Sequence, residues 1–323
     1  MYKEKILNLL RSSRSGFLSG EELARKCGIS RTMVWKHIKS LEREGFGIEA
    51  VPSQGYRITT APDVLRLSDI KPGLKTKVIG KDIRLLPKVA STNTLAMEMA
   101  SNGAPEGTVV IAETQTGGKG RLGRTWISPK GNIYLSVILR PEIPIYKAPL
   151  ITLMGAVAAV SAVGKQCEPG ARIKWPNDIL ISGKKVGGLL TEMSAEQDRI
   201  RHIVLGIGVD VNMELENLPA DMRAQTTTLS AETGEKINRT ALLQQLLREL
   251  DHWYRVFLAN EQDVLREWTS LNMTVGNRVA VSGVGERLEG LAQGIDSEGR
   301  LVIRLDDGAI HRAAAGNVTI LKK

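Results

Sequence analysis

The amino-acid sequence predicts an α+β chain in three parts: a small helical module, a mixed α/β centre and a β-only end. Three observations carry this. Residues 1–60 place apolar side chains at helical spacing and then alternate briefly. The centre mixes strand-like and helical runs without the regular βαβ alternation of a doubly wound fold. Residues 272–323 break into short β-type runs separated by Gly, Asp and Ser. The expected boundaries are 1–62 for the first domain, 63–84 for a linker, 85–271 for the centre and 272–323 for the β end.

Ile6, Leu9 and Leu10 give the first helix an apolar face. Ser19 and Glu22 have capping-box spacing and open a second helix carrying Leu23 and Cys27. Gly28-Ile29-Ser30 is a tight turn, with Ser30 as N-cap of a third helix reaching about Glu44. Val34, Ile38 and Leu41 face inward on it. Two helices joined by a glycine-containing turn make a helix-turn-helix, and Gly45–Ile58 reads as a β-wing. The third helix then presents Arg31, Thr32, Trp35 and Lys36 outward, with Lys39 and Arg43 further along. Those side chains suit phosphate and base-edge contacts in a major groove. Charge agrees: residues 1–60 hold 11 Lys/Arg against 6 Asp/Glu, a balance of +5, leaving +4 of the total +9 for the other 263 residues. The bland alternative is a solvated amphipathic helix.

Pro62 and Pro72-Gly73 punctuate 60–85, which has no strong period beyond a short helix. Leu85–Val89 and Val109–Ala112 read as strands around a helix at about 93–102. Ile133–Leu139 alternates like a strand. Ala148–Gln166 is an apolar helix, short of the roughly 20 residues of a membrane span. Ile179–Ile181 and Val186–Thr191 flank Ser182-Gly183-Lys184, a hairpin signal. Ile203–Val211 is a strand and Arg239–Asn260 a long helix. In the last part the runs are Arg278–Val281, Leu288–Ile295, Leu301–Leu305 and Val318–Leu321. The N-terminus is polar and helical rather than a signal peptide. The two cysteines, Cys27 and Cys167, lie far apart, as expected for a reducing cytoplasm.

One loop stands out: Gln115-Thr116-Gly117-Gly118-Lys119-Gly120-Arg121-Leu122-Gly123-Arg124-Thr125-Trp126. Glycines let a backbone approach a ligand, and the clustered cations call for an anion. Gly118 to Gly123 satisfies G-x-G-x-x-G, and Gly118 to Thr125 nearly spells a Walker A loop with Arg124 where lysine is required. Both motifs should open a helix. Ser128-Pro129 and another strand follow instead, which excludes both. Three further clusters join it. Ser91-Thr92-Asn93 lies between a strand and a helix, where a plain N-cap is the simpler account. Lys174-Trp175-Pro176-Asn177-Asp178 is followed by Lys184-Lys185-Val186-Gly187-Gly188, so that a hairpin returns Lys185 and Gly188 beside Asn177. Gly206-Ile207-Gly208-Val209-Asp210-Val211-Asn212 carries small and polar side chains out of a strand.

In this order and spacing, and behind a winged helix-turn-helix, these clusters resemble the biotin protein ligases in their bifunctional bacterial form. The resemblance covers essentially the whole chain. It implies a ligase core of the biotin/lipoate type and a small SH3-like β-barrel at the C-terminus. It also implies an ATP-dependent, AMP-forming reaction through biotinyl-5′-AMP. By resemblance, Ser91, Thr92, Asn93, Gln115, Gly118, Lys119, Gly120, Arg121, Lys185 and Gly188 form the biotin site. Arg121, Arg124, Trp126, Lys174, Asn177, Asp210 and Asn212 form the ATP and adenylate site. Lys185, Arg121 and Lys119 are the catalytic cations. Mg²⁺ enters with ATP, without a dedicated protein cage. Ser30, Arg31, Thr32, Trp35, Lys36 and Lys39 face DNA. The implied partners are a biotin carboxyl carrier domain, operator DNA and a second copy of the chain on adenylate binding, with no membrane. Two positions depart from the family: Lys119 stands where arginine is common, and Asp210 where asparagine is. A non-catalytic biotin-sensing regulator and a lipoate ligase are the alternatives.

Overall fold

The computed structural model describes residues 2–13, 16–166, 170–282 and 287–321. The chain divides into two compact units, 1–64 and 65–323.

The first unit holds α1 (Tyr2–Ser12), α2 (Gly20–Cys27), α3 (Arg31–Arg43) and a hairpin of β1 (Gly47–Val51) and β2 (Gly55–Thr60). Ser19 Oγ accepts from Glu22 N–H and Ser30 Oγ from Met33 N–H, so both expected caps are made. Gly28 ends α2 at φ 70°, a left-handed conformation that glycine takes without strain. The core is Ile6, Leu7, Leu10, Leu18, Leu23, Cys27, Val34, Ile38, Leu41 and Phe46. On α1 the buried positions are Ile6, Leu7 and Leu10, with Leu9 only partly covered. Cys27 is buried, and Cys167 lies outside the described residues.

The second unit continues with α4 (Leu67–Ile70), β3 (Ile83–Leu86), α5 (Thr92–Ser101), β4 (Val109–Ala112), β5 (Ile133–Leu139) and α6 (Pro149–Val163). Then come β6 (Arg172–Lys174), β7 (Asp178–Ile181), β8 (Lys184–Glu196) and β9 (Arg199–Val209). The helices α7 (Ala220–Arg223), α8 (Leu229–Thr233), α9 (Arg239–Ala259) and α10 (Glu261–Leu271) follow. The last strands are β10 (Arg278–Ser282), β11 (Leu288–Ile295), β12 (Leu301–Arg304), β13 (Ile310–Ala313) and β14 (Asn317–Ile320). A seven-stranded sheet runs β3-β4-β5-β9-β8-β7-β6, with only β3 and β4 parallel. A five-stranded antiparallel sheet runs β13-β12-β11-β10-β14.

Strand alternation sorts the large sheet into two faces. Val109, Ile111, Val137, Leu139, Ile203 and Leu205 join the main core with α6 and α9. Val110, Ile138 and Val204 pack on the other side against Ala96 and Ala100 of α5. Ile145–Val163 is apolar and long enough to cross a membrane by composition, but in the fold α6 is a buried core helix.

Several elements differ from expectation. The segment expected to link domains belongs to the second unit from Leu65 onward, with Leu65, Ile70 and Ile79 buried in its core. Asp251 holds it by accepting from the backbone N–H groups of Lys77, Val78 and Ile79. β8 and β9 extend well past their apolar runs, to a second hairpin at Glu196–Arg199, because backbone pairing continues where both faces turn polar. At the first hairpin Ser182 and Gly183 both have positive φ (51° and 79°), the geometry of a two-residue turn between twisted strands. α10 is not among the expected elements, and β13, with three of its four residues exposed, carries no alternation.

Candidate functional site

The site is a trough on the α5 side of the large sheet. It opens because that face of β9 carries no side chains at two successive inward positions, Gly206 and Gly208. Opposite them on β8 stand Leu190 and Gly188, and on β5 Ser136 and Tyr134. A cavity of about 1000 Å³ fills this space. Of the expected ligand residues, Ser91, Thr92, Asn93, Gln115, Lys119, Gly120, Arg121, Arg124, Trp126, Lys174, Asn177, Lys185, Gly188 and Asp210 line it. Gly118 and Asn212 do not. A Cβ at Gly118 would collide with Trp126 O, so its glycine serves the loop's own turn. Asn212 spends its amide on the Ile237 backbone, donating from Nδ2 (2.8 Å) and accepting at Oδ1 (2.9 Å).

One end of the cavity is a neutral hydrogen-bonding network. Ser91 Oγ caps α5 by accepting from Thr94 N–H. Thr92 donates from N–H (2.8 Å) and Oγ1 (3.1 Å) to Gln115 Oε1. Gln115 Nε2 donates to Ser128 Oγ (2.9 Å). Ser136 Oγ lies 2.8 Å from Thr92 Oγ1 and 2.6 Å from Asn93 Oδ1. Asn93 gives both amide hydrogens away, to Leu190 O (3.1 Å) and Glu192 Oε2 (2.8 Å). It is therefore a strut as a donor, and a Cβ at Gly206 would collide with its Oδ1.

The other end is charged. Asp178, on β7, faces Lys185 Nζ at 2.5 Å and Lys174 Nζ at 3.7 Å. Register puts Asp178 opposite Gly188. Asn177 donates from Nδ2 to Leu189 O (2.7 Å) and accepts at Oδ1 from Arg121 Nη1 (3.1 Å). Arg121 Nη1 also reaches Gly316 O (3.3 Å), tying the loop to the C-terminal β sheet. Burial lowers the Arg121 pKa and Asp178 opposes the shift. The loop folds back on itself: Gly120 N–H donates to Arg124 O (2.7 Å) and Trp126 N–H to Gly118 O (2.8 Å). Leu122 sits at its tip with φ 56°. The Trp126 indole lies on the glycine floor, where a Cβ at Gly208 would meet its Cε2 at 2.7 Å. Lys185 Nζ stands 5.2 Å from its ring centroid, within cation–π range.

Asp210 is 4 % exposed and follows Gly206 and Gly208 on the same face. Burial pushes its pKa up to about 8, with Lys185 pulling the other way. Asn132 donates to it from Nδ2 (2.8 Å) and is fixed by accepting from Val211 N–H. Arg239, 1 % exposed, donates to Asn132 O (2.8 Å) and to Glu113 Oε2 (2.9 Å).

Sequence reasoning missed Asp178, Ser128, Asn132, Ser136 and Glu192 as site-building residues. Asp178 was in the right motif, and Ser136 on β5 and Asn132 just before it fall at even positions, with period two. The segments Leu218–Thr226 and Gly316–Thr319 also line the cavity, without any chemical signature. Gln225 O and Thr227 N–H bond the Lys185 backbone, so the former segment is pinned to the lysine strand.

In the first unit Arg31, Thr32, Trp35 and Lys36 are exposed on α3. Lys39 is half-buried and paired with Glu42 (2.7 Å). Ser30 is the cap. On the wing Arg57 pairs with Glu49 (2.5 Å) and lies over the Phe17 ring.

Comparison with known proteins agrees with this division. Residues 85–210 match the biotin/lipoate A/B protein ligase family, residues 3–57 an HTH domain, and residues 274–320 the biotin protein ligase C-terminal domain. The bifunctional ligase/repressor BirA of Bacillus subtilis is 40 % identical over 308 residues, 95 % of each chain. The chain belongs to the BirA bifunctional ligase/repressor family. The Escherichia coli BirA is 30 % identical over 321 residues, covering 98 % of this chain and 96 % of that protein. The biotin protein ligase from Aquifex aeolicus, solved with biotin and ATP, superposes with TM-score 0.64 at 27 % identity. The match covers 75 % of this chain and all of that one. As a BirA-family chain, this protein builds its cavity mainly from the segment matched to the ligase family. The C-terminal domain closes one side through Gly316–Thr319.

Proposed function

We propose that the chain joins biotin to ATP and passes the biotinyl group to a lysine of a biotin carboxyl carrier domain. In the first step a biotin carboxylate oxygen attacks the α-phosphorus and pyrophosphate leaves, giving biotinyl-5′-AMP. In the second an acceptor lysine amine attacks the biotinyl carbonyl, loses a proton, and AMP leaves. The observation that carries this reading is the joining of two unlike ends in one cavity. A neutral hydrogen-bonding end at Ser91, Thr92 and Gln115 suits an uncharged ring. A cationic end at Lys185, Lys174 and Arg121 suits reacting anions.

Two anions meet in the first step, so fixed cations at the developing charge lower its barrier. Lys185 is assigned to the carboxylate and α-phosphate oxygens, where its bond to Asp178 orients it. Lys119 and Arg121 hold the biotinyl and adenylate parts as the loop Gly118–Trp126 closes, excluding water that would hydrolyse the anhydride. Gly120 and Gly188 keep the backbone close to the ligand, and Gly118 lets the loop make its own turn. Trp126 offers adenine the face turned from its glycine floor. Asn177 and Arg124 are assigned to the phosphates, together with Asp210. Mg²⁺ belongs to the bound nucleotide in this reading, neutralising phosphate charge. Asp178 is spent on two lysines and Asp210 holds its proton, so the phosphate oxygens would carry the ion.

The helix-turn-helix is assigned to operator DNA, through Arg31, Thr32, Trp35 and Lys36. Unused adenylate acts as corepressor by favouring a dimer that spans a palindromic site. A cytoplasmic setting is part of the reading. The test is biotin-dependent pyrophosphate–ATP exchange, then transfer onto a carboxyl carrier domain, by wild type and Lys185→Ala. Wild type exchanges and transfers, and the variant loses both. Operator binding by a wild type that shows no exchange at saturating biotin and ATP would point to a pure sensor. Exchange driven by lipoate in place of biotin would point to a lipoate ligase.

A further inference from the structure

Glu192 lies just outside the cavity lining, yet it touches two residues that form it. It stands on β8 two residues beyond Leu190, on the same face as Leu190 and Gly188 and opposite Val204 of β9. Its Oε2 accepts from Asn93 Nδ2 at 2.8 Å, and its Oε1 faces Lys119 Nζ at 3.9 Å. β7 stops pairing with β8 at Gly188, so Glu192 has no β7 neighbour on that side. We propose that Glu192 is a positioning residue. One carboxylate oxygen locks the Asn93 strut, and the other parks the Lys119 ammonium at the neutral end of the cavity before ligand arrives.

The physical case rests on charge distribution. The cavity's lysines divide between two acids. Lys174 and Lys185 sit on Asp178 at the phosphate end, and Lys119 sits by Glu192 at the opposite end. Among the described residues, Glu192 is the acid that holds the long, half-exposed Lys119 side chain at that end. A pair this exposed contributes little stability. Its effect is to fix where a flexible ammonium waits. The Asn93 bond adds a geometric role. Asn93 Oδ1 accepts from Ser136 and faces Gly206, so losing one amide partner frees the side chain to turn into the trough.

This inference rests on the reading of the cavity as the biotin and ATP site. The test uses the full chain in biotin-dependent pyrophosphate–ATP exchange, with KM for biotin and for MgATP measured separately. Glu192→Gln keeps an acceptor for Asn93 and removes the charge. It is expected to raise the biotin KM about twofold to fivefold and leave the MgATP KM unchanged. Glu192→Ala removes both roles, with an expected rise of about tenfold. In a Lys119→Met background Glu192→Gln adds nothing further, an outcome that a merely structural role would not produce. Thermal melts confirm that the glutamine variant is folded. An unchanged biotin KM in Glu192→Gln overturns the proposal, as does the same fold-change with and without Lys119. Absence of exchange in wild type removes the functional reading itself, and the proposal with it.

Discussion

Replacing Asp210 with asparagine isolates the most perturbed carboxyl of the site. Asp210 is buried, accepts from Asn132 and has its pKa pushed by burial from the ordinary carboxylate value of 3.8 up to about 8. Between those two values the unfolded chain has released a proton that the folded chain keeps. The folded state therefore loses about 1.4 kcal/mol per pH unit through this group. The associated stability is fully present below the unfolded value and is lost as pH rises toward 8. From pH 5 to pH 8 the difference amounts to about 4 kcal/mol as an upper bound, or roughly 10 °C in Tm for a unit of this size. Asparagine keeps an acceptor for Asn132 and cannot ionise. Asp210→Asn should therefore gain on wild type progressively across that range and stop gaining above about pH 8. The assay is thermal melting of both proteins by circular dichroism at matched ionic strength. All other titrating groups cancel in the difference. A Tm difference independent of pH would refute the buried, proton-bearing Asp210. The same ionisation predicts that the MgATP KM of wild type rises above pH 8 while that of Asp210→Asn does not.

Gly206→Ala drives a methyl group into Asn93 Oδ1; the expected cost is about 1–3 kcal/mol in stability with a higher biotin KM, read by melting and exchange assays. Glu113→Ala removes a carboxylate from the buried Arg239 guanidinium and should cost about 3 kcal/mol in urea unfolding. The double change with Arg239→Met should cost less than Glu113→Ala alone. Lys36→Ala should weaken operator binding and lower the slope of log K against log salt by about 0.9, and an unchanged slope would remove Lys36 from the phosphate contacts.

Much of the fold was legible because local signals agreed with burial. The caps Ser19 and Ser30, the inward triad Val34, Ile38 and Leu41, and the apolar runs of β4, β5 and α6 all record their surroundings in sequence. α10 carries a helical signal of its own, since its buried Val264, Leu265 and Trp268 fall at i, i+1 and i+4 on one face of a helix. β13 exposes three of its four residues, so no alternation marks it. At the site, Lys119, Arg121, Asn177 and Lys185 announced themselves as charge or amide chemistry in glycine-rich turns. Asn132, Ser136 and Glu192 are ordinary polar residues until β5, β8 and β9 are set in register.

The sequence by itself determined three parts, their order, the capped helices of the first unit and the residue types of the basic loop. Those depend on neighbours within a few positions, where spacing and turn chemistry act directly. Only the tertiary structure decided how the loop works. Three sheet positions without side chains, Gly188, Gly206 and Gly208, open a trough between distant segments. Register then joins Lys185 to Asp178, packing brings Arg121 to Asn177, and burial raises the Asp210 pKa to about 8. Pair distances and desolvation depend on contacts far apart in the chain, and no local spacing encodes them.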